Sequence, residues 1–221
     1  MALYADIASA LLKQISENLQ NGSDEVVVKL TEEAVEKRMT PEEIMNDGLI
    51  AGMSVVGEKF KNHEIFLPDV LLSARAMNRA MEVLKPLLIK EGIPVRGKVV
   101  IGSVKDDLHD IGKNLVGILL KGAGFEVIDL GNDVPAEKFI STAVEENAHV
   151  IGMSALLTTT MPVMKKVVEM AKAEGLYGKV RIIVGGAPVS KEFTLEIGAD
   201  AYSYDGANAV ETVEGFFAKG I

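Results

Sequence analysis

The chain contains no cysteine and no tryptophan among its 221 residues. Without cysteine it can form neither a disulfide, nor a thiolate metal site, nor a cysteine nucleophile, so any metal must be held by other ligands. Aromatic residues make up only 5% of the chain, which disfavours a stacking platform for single-stranded nucleic acid. Three histidines are present, His63, His109 and His149, so the candidates for imidazole chemistry are few.

The sequence also lacks net positive charge and long apolar runs. Its 32 acidic and 23 basic side chains give a formal charge of −9, the wrong sign for binding phosphates, so we expect no nucleic-acid partner. No apolar run approaches the roughly 20 residues that a membrane span needs. The N-terminus lacks the basic segment and apolar core of a secretory signal. We therefore expect a cytoplasmic protein that binds no membrane.

Residues 1–90 follow a helical pattern throughout. Apolar residues recur at helical spacing, for example at Met53, Val56 and Phe60. The segment Thr40–Glu43 predicts a helix start, with a threonine N-cap, a proline at the first helical position and a glutamate that completes a capping box. We predict a four-helix bundle with helices at about residues 3–20, 24–38, 41–61 and 67–90.

Residues 91–221 alternate short β-branched runs with helical stretches. The predicted strands are Lys98–Ser103, Glu126–Asp129, Val150–Met153, Val180–Val184 and a weaker strand near Ala201. Strands separated by helices imply crossover connections and a parallel sheet. The series fits an α/β domain with a flavodoxin-like (Rossmann-like) five-stranded sheet of order 2-1-3-4-5, which binds ligands at the carboxyl ends of its strands.

Three segments follow predicted strands one, three and four: Asp106–Gly112, Ser154–Thr160 and Gly185–Ala187. These strands are neighbours in the predicted order, so their exit loops should border one crevice. In the first segment Asp107 stands two positions before His109. A carboxylate that bonds one imidazole nitrogen fixes the tautomer and makes the other nitrogen a better metal ligand. A solvated loop is the alternative that these two residues leave open.

The other two segments also allow two interpretations. The second carries four hydroxyl groups, and capping of the next helix would explain one of them but not all four. The pair Gly185-Gly186 fits either a tight turn or the close approach of backbone to a bulky ligand. Taken together, the three segments predict a crevice for a large ligand.

The three segments together resemble the cobalamin-binding module shared by methionine synthase and the corrinoid proteins of anaerobic methyl transfer. That signature reads Asp-x-His-x-x-Gly, then Ser-x-Leu, then Gly-Gly, and it is met here by Asp107/His109/Gly112, Ser154/Leu156 and Gly185/Gly186. The similarity extends to Asp110–Asn114 and Asp129–Gly131, and the helical half resembles the cap domain of that family through Phe60 and Phe66–Pro68. Nearly the whole chain is covered.

The resemblance implies that cobalamin binds with its dimethylbenzimidazole tail displaced from cobalt, and that His109 takes the vacated position. Asp107 would bond the other nitrogen of His109, and Thr160 would complete the relay where methionine synthase has serine. The further cofactor contacts implied are Leu108, Asp110, Ile111 and Gly112 beside the histidine, Ser154, Leu156 and Thr158 at the tail, Gly185 and Gly186 at the nucleotide loop, and Phe60, Phe66, Leu67 and Val70 over the corrin. Bundle core is an equal alternative for Val70. Asp110 and Lys113 are expected at solvated positions near the corrin side chains.

The resemblance also implies a function. The chain would be the methyl-carrier subunit of a multi-component methyltransferase, using methylcobalamin and cob(I)alamin in turnover, and would act only together with other enzymes. A substrate-specific methyltransferase would supply the methyl group, a second one would pass it to tetrahydrofolate or coenzyme M, and a reductive activase would restore cobalt(I). His109 would leave cobalt in that state while Asp107 and Thr160 adjust their proton. We also predict a hinge near Gly92-Ile93-Pro94, because the cap must move for each partner.

The methyl donor is not identified by a carrier, and methanol, a methylamine, a betaine or an aryl methyl ether all remain open. A cobalamin-dependent sensor is the main alternative, although residues 1–90 leave no room for a DNA-binding domain beside the bundle. A carbon-skeleton mutase domain would lack the helical cap. A flavodoxin-like domain without cobalamin would leave the three matched segments unexplained.

Overall fold

The structure, a computed structural model, describes residues 2–92 and 96–221. The chain divides near residue 94 into two compact units, a helical unit and an α/β unit. Of the predicted hinge, Ile93 and Pro94 lie outside the described residues, while Gly92 ends the preceding helix with a left-handed φ of 68°. Among the described helices, none is long and apolar enough to cross a membrane.

The helical unit follows the predicted segments closely. Its helices are α1 (Ala2–Gln20), α2 (Asp24–Glu36), α3 (Pro41–Glu43), α4 (Ala51–Lys61) and α5 (Leu67–Glu91). The predicted capping box is confirmed, since the Glu43 N–H donates to Thr40 Oγ1 at 3.2 Å and the Thr40 N–H donates to Glu43 Oε2 at 3.0 Å. The four predicted stretches are therefore helical.

The third stretch differs from the prediction in its interior. Residues Ile44–Ile50, between α3 and α4, form a π-helical segment. Gly48 and Gly52 bring this stretch close to α1, where a Cβ on Gly52 would lie 3.0 Å from the Ser16 Cα and carbonyl oxygen. A π turn is rare and widens the helix by one residue. Apolar spacing alone does not predict it.

Apolar side chains fill the interior of the helical unit. Ile15, Leu19, Val27 and Leu84 are fully buried, as is Val70. The sequence left two places open for Val70, and full burial favours the core position over a face open to a ligand. The contact of Val70 with the corrin stays a prediction.

The α/β unit has the predicted architecture. Its strands are β1 (Lys98–Ser103), β2 (Glu126–Asp129), β3 (Val150–Ser154), β4 (Arg181–Gly185) and β5 (Ala201–Ser203). They pair in parallel in the order β2-β1-β3-β4-β5, which confirms the predicted sheet. The helices are α6 (Ile111–Gly122), α7 (Ala136–Glu145), α8 (Pro162–Ala173), α9 (Lys191–Ile197) and α10 (Gly206–Ala218).

The carboxyl edge of the sheet is formed by a row of small residues. Ser103 pairs with Ser154, Ser154 with Gly185, and Gly185 with Ser203. The strands behind this row are apolar and largely buried, with Val100, Ile151 and Ile182 inside the core. The rigid sheet thus places the three predicted segments next to one another at its edge, as expected for a ligand site in this class of fold.

Candidate cofactor-binding site

The loop between β1 and α6 presents His109 to solvent and buries Asp107. The His109 side chain is 52% exposed, whereas the Asp107 side chain is 0% exposed. Asp107 Oδ1 lies 2.8 Å from His109 Nδ1 and also accepts the His109 backbone N–H at 3.1 Å. Because a carboxylate accepts hydrogen bonds, Nδ1 carries the proton and Nε2 keeps its lone pair. The loop therefore offers one exposed imidazole nitrogen in a fixed tautomer.

The second oxygen of Asp107 is held by the segment after β3. Asp107 Oδ2 accepts the Leu156 N–H at 2.7 Å, the Leu157 N–H at 3.3 Å and the Thr160 hydroxyl at 2.8 Å. Burial tends to raise the pKa of Asp107, but these bonds, the Leu156 N–H foremost, and those from His109 outweigh it and hold the pKa well below its usual range. Asp107 is thus a buried, ionised carboxylate.

Thr160 can donate its hydroxyl proton in two directions. Thr160 Oγ1 lies 2.8 Å from Asp107 Oδ2 and 2.8 Å from the Leu157 carbonyl oxygen. One hydroxyl has one proton, so it can donate to the carboxylate or to the carbonyl but not to both at full strength. His109, Asp107 and Thr160, predicted as a relay, form a continuous hydrogen-bonded chain in the structure.

The surface around His109 is apolar and exposed. Leu108 is 69% exposed and Ile111 is 74% exposed. Leu156 and Leu157 of the neighbouring loop are exposed as well, as is Thr158, while Ser154 and Asp110 are partly buried. A Cβ on Gly112 would meet nothing within 4 Å. The predicted residues of the first two segments thus share one open surface.

The protein's own backbone lies close to the Gly185-Gly186 pair. A Cβ on Gly185 would lie 2.8 Å from the Ser203 carbonyl oxygen, and one on Gly186, at φ 125°, would overlap the carbonyl oxygen of Ala155. The protein's own backbone therefore fills the space beside both glycines. These glycines are required by the packing of adjacent chain segments, and room for a nucleotide loop beside them stays a prediction.

The expectation for Lys113 was wrong. It was expected to be solvated, but its side chain is 4% exposed and its Nζ lies 2.6 Å from both carboxylate oxygens of Asp129. Asp129 Oδ1 also accepts the Gly131 N–H at 2.8 Å. A buried lysine needs such a partner, so this pair links the start of α6 to the end of β2.

Sequence reasoning missed the loop that follows β2. Asn132 and Asp133 donate to the carbonyl oxygens of Leu108 and Asp107. The signal was present, because β2 is the other neighbour of β1 and its carboxyl end meets the same edge of the sheet. These two residues support the backbone of the histidine loop.

The remaining predicted contacts belong to the helical unit. Phe66 precedes α5 and is 71% exposed. Phe60 on α4 and Leu67 at the start of α5 are partly buried. Exposure of Phe66 leaves its side chain free to contact a ligand, and these three residues stay predicted cofactor contacts.

The residues after β1 and β3 fit a corrin cofactor. A corrin supplies most of the ligands of its cobalt, so a single protein nitrogen would be enough to hold the metal. His109 Nε2 supplies such a nitrogen, and the buried Asp107 carboxylate supports it as in other metal-binding histidines. The exposed side chains of Leu108 and Ile111 suit the apolar rim of a macrocycle. The donor chemistry of these residues therefore fits the group.

Comparison with known protein families gives two matches. A family model described as a B12 binding domain matches residues 97–214, and another with the same description matches residues 11–85. The first model thus covers most of the α/β unit, and the second covers most of the helical unit.

Comparison with individual proteins gives relatives of the same length. A corrinoid protein of Desulfitobacterium hafniense (strain Y51) is 39% identical over 213 residues, 95% of this chain and 99% of that protein. The dimethylamine corrinoid protein of Methanosarcina barkeri is 41% identical over 201 residues, 90% of this chain and 94% of that protein.

Solved structures are similar too. The methanol:cobalamin methyltransferase complex of Methanosarcina barkeri contains a chain with a TM-score of 0.85 and 33% identity, matched over 95% of this chain and 80% of that one. A cobalamin-binding protein of Desulfitobacterium hafniense DCB-2 has a TM-score of 0.77 and 31% identity, matched over 93% of this chain and 98% of that one.

Proposed function

Because the chain belongs to the family of B12-binding corrinoid proteins, we propose that it carries a methyl group from one methyltransferase to another. Its cofactor is cobalamin. When bound, cobalamin supplies a cobalt centre that takes up and releases the methyl group, and the protein supplies binding, orientation and proton control. The observation that carries the proposal is the exposed His109 ring fixed by the buried Asp107 carboxylate.

We propose that His109 Nε2 is the protein atom that would bind the cobalt of cobalamin. The Nδ1 proton is committed to Asp107 at 2.8 Å, so the lone pair is on the exposed side of the ring. The hydrogen bond to Asp107 also fixes the orientation of the ring, as in other metal-binding histidines. A neutral histidine without such a partner would populate both tautomers. The tautomer that is protonated on Nε2 could not bind a metal through that atom.

The same three residues could also hold a proton on His109 Nε2 when that atom is not bound to cobalamin. A proton there would make the ring a cation, which the ionised Asp107 would stabilise. Thr160 can turn its hydroxyl between Asp107 Oδ2 and the Leu157 carbonyl, both at 2.8 Å. The relay can therefore adjust to either charge state without moving its heavy atoms.

The neighbouring loops have separate roles in the proposal. Leu108 and Ile111 offer apolar surface to the corrin rim, while Ser154, Leu156 and Thr158 border the tail. Phe66, with 71% of its surface exposed, is the leading candidate to shield the methyl group. A base-off cofactor, a reductive activase and a cytoplasmic location remain predictions.

Two methyl donors deserve to be tested first. Relatives are named for dimethylamine and trimethylamine, and a similar solved structure is named for methanol. We propose that a methylated amine or methanol is the donor, and that a dedicated methyltransferase for that donor is the first partner. Nothing among the described residues chooses between these donors.

A methyl-transfer assay tests the proposed function. The protein is loaded with cobalamin, reduced to cobalt(I) and mixed with candidate methyltransferases and their methylated substrates. Loss of the cobalt(I) absorption, dependent on both enzyme and donor, is the expected result. A protein that binds cobalamin but is not methylated by any cognate enzyme would contradict the carrier role and favour a cobalamin-dependent sensor.

A further inference from the structure

The backbone of the histidine loop is held by residues outside the loop. The Asp107 carbonyl accepts the Asp133 N–H at 3.0 Å, and the Leu108 carbonyl accepts the Asn132 amide at 3.3 Å. The His109 carbonyl accepts the hydroxyl of the fully buried Ser103 at 2.6 Å. Three consecutive carbonyl groups are thus each tied to a donor on β1 or on the β2–α7 loop.

The side chain of Asp133 adds a second attachment on the other side of Asp107. Asp133 Oδ1 accepts the Asp106 N–H at 2.8 Å and the Lys105 ammonium at 2.7 Å. Asp133 therefore holds this backbone at two points. Its side chain accepts the Asp106 N–H, and its own backbone N–H donates to the Asp107 carbonyl.

This attachment stabilises a backbone conformation that is otherwise unfavourable. Asp106 has φ 65° and Asp133 has φ 56°, both in the left-handed region. Residues other than glycine adopt that region at a cost, and surrounding contacts must hold them there. The turn at Asp106 directs the chain so that the next residue, Asp107, points into the buried site.

We infer that Asp133 is a positioning residue for the His109 ligand. The inference rests on the proposed function, in which His109 binds cobalt through Nε2. Asp133 lies beside the loop backbone and acts by fixing Asp107 where its Oδ1 meets His109 Nδ1 at 2.8 Å. A hydrogen bond of this kind weakens steeply with misalignment. A small shift of the loop would therefore leave the His109 ring free to adopt either tautomer.

The tautomer of His109 in the cofactor-free full-length chain is a direct readout. Nitrogen chemical shifts of ¹⁵N-labelled histidine distinguish a ring protonated on Nδ1 from one protonated on Nε2. We expect Asp133→Gly, which keeps the left-handed backbone but removes the carboxylate, to lower the ratio of the Nδ1-protonated to the Nε2-protonated form about fivefold. That change corresponds to the loss of about one net hydrogen bond.

Three further variants separate positioning from general damage. Asp133→Asn keeps an acceptor for the Asp106 N–H and should retain the wild-type ratio. Asp133→Glu keeps the charge but displaces the acceptor, so it should behave like Asp133→Gly, and it serves as the test if the glycine variant does not fold. Asn147→Gly also introduces a glycine at a left-handed position, with φ 51°, in the turn after α7. It should leave the ratio unchanged.

Wild-type ratios in both Asp133→Gly and Asp133→Glu would overturn the inference, as would equal losses in Asp133→Asn. After reconstitution with cobalamin, the histidine-ligated fraction should fall in the same order among the variants. A His109→Ala protein whose cobalamin spectrum matches wild type would instead refute the proposed ligand. Failure of the positioning role and failure of the proposed function therefore give different results.

Discussion

Motif glycines follow both β1 and β4, Gly112 in the first turn of α6 and Gly186 in the loop after β4, but the space beside these glycines is used in opposite ways. A Cβ on Gly112, after β1, would stand free of any atom within 4 Å. One on Gly186, after β4, would overlap the Ala155 carbonyl oxygen, at a φ of 125° that other residues avoid. The first glycine leaves open surface beside the histidine, and the second allows two chain segments to pack.

The difference shows that one sequence signature can combine two kinds of constraint. Near His109 the side chains that face outward, Leu108 and Ile111, have no role in the core, so a ligand is the natural explanation for them. At Gly185-Gly186 the packing of the protein's own backbone requires glycine. Substitutions in the two loops should therefore separate loss of binding from loss of stability.

Gly186→Ala should have the largest effect of the changes considered. A methyl group there collides with the Ala155 backbone and also disfavours the required φ. We expect the free energy of unfolding of the cofactor-free protein to fall by more than about 4 kcal/mol, measured by urea denaturation followed by circular dichroism. Gly112→Ala is the matched control and should change that free energy by less than about 1 kcal/mol. Equal stability of the two variants would contradict the inferred difference between the surroundings of Gly112 and Gly186.

Asp107→Asn should have the next largest effect. The substitution places an amide donor among five groups that donate to the carboxylate, so buried donors lose their acceptor. We expect a loss of about 3 kcal/mol in the free energy of unfolding. Asp110→Asn, in the same loop, should cost less than about 0.5 kcal/mol. If Asp107→Asn were as stable as Asp110→Asn, the relay would not be the structural anchor of the loop.

Gly112→Val should weaken cobalamin binding without a comparable loss of stability. The added side chain would occupy open surface next to His109, where the cofactor is proposed to lie. We expect the dissociation constant to rise at least about tenfold, which corresponds to about 1.4 kcal/mol. Titration followed by absorption measures it, and Ile111→Val serves as a mild control on the same surface. An unchanged affinity would place the cofactor elsewhere.

The smallest effect concerns pH. The pKa of Asp107 is lowered in the folded protein, so its ionisation contributes stability that is present above the unfolded pKa of about 4 and is lost as the pH falls below it. The stability difference between wild type and Asp107→Asn should therefore shrink by about 1 kcal/mol between about pH 7 and about pH 3. A difference that stayed constant or grew on acidification would contradict an ionised Asp107.

Much of this site was predictable because its residues stand at the ends of strands. Alternating strand and helix patterns predicted the sheet order, and that order brought Asp107 and Thr160 together across 53 positions of sequence. The π-helical segment Ile44–Ile50 was not predictable, since it depends on how α1 packs against its neighbours. The burial of Lys113 depends on the distant partner Asp129, which periodicity does not reveal.

The histidine loop also shows where pattern reasoning stops. The sequence predicted the Asp107–His109 pair, but the backbone donors of Leu156 and Leu157 are visible only in the folded chain. The same holds for Asp133, whose contacts with Asp106 and Asp107 depend on the position of the loop after β2. Side-chain types can be read from the sequence, whereas main-chain partners cannot.

The central claim, that His109 binds cobalt through Nε2, is tested most directly by electron paramagnetic resonance of the protein reconstituted with cobalamin in the cobalt(II) state. The cobalamin is unlabelled and the protein carries ¹⁵N only in its three histidines. We expect the nitrogen splitting on cobalt to change from the triplet of ¹⁴N to the doublet of ¹⁵N, and we expect His109→Ala to abolish the doublet. A triplet that persists in the labelled protein would contradict it, because the axial nitrogen would then come from the cofactor itself.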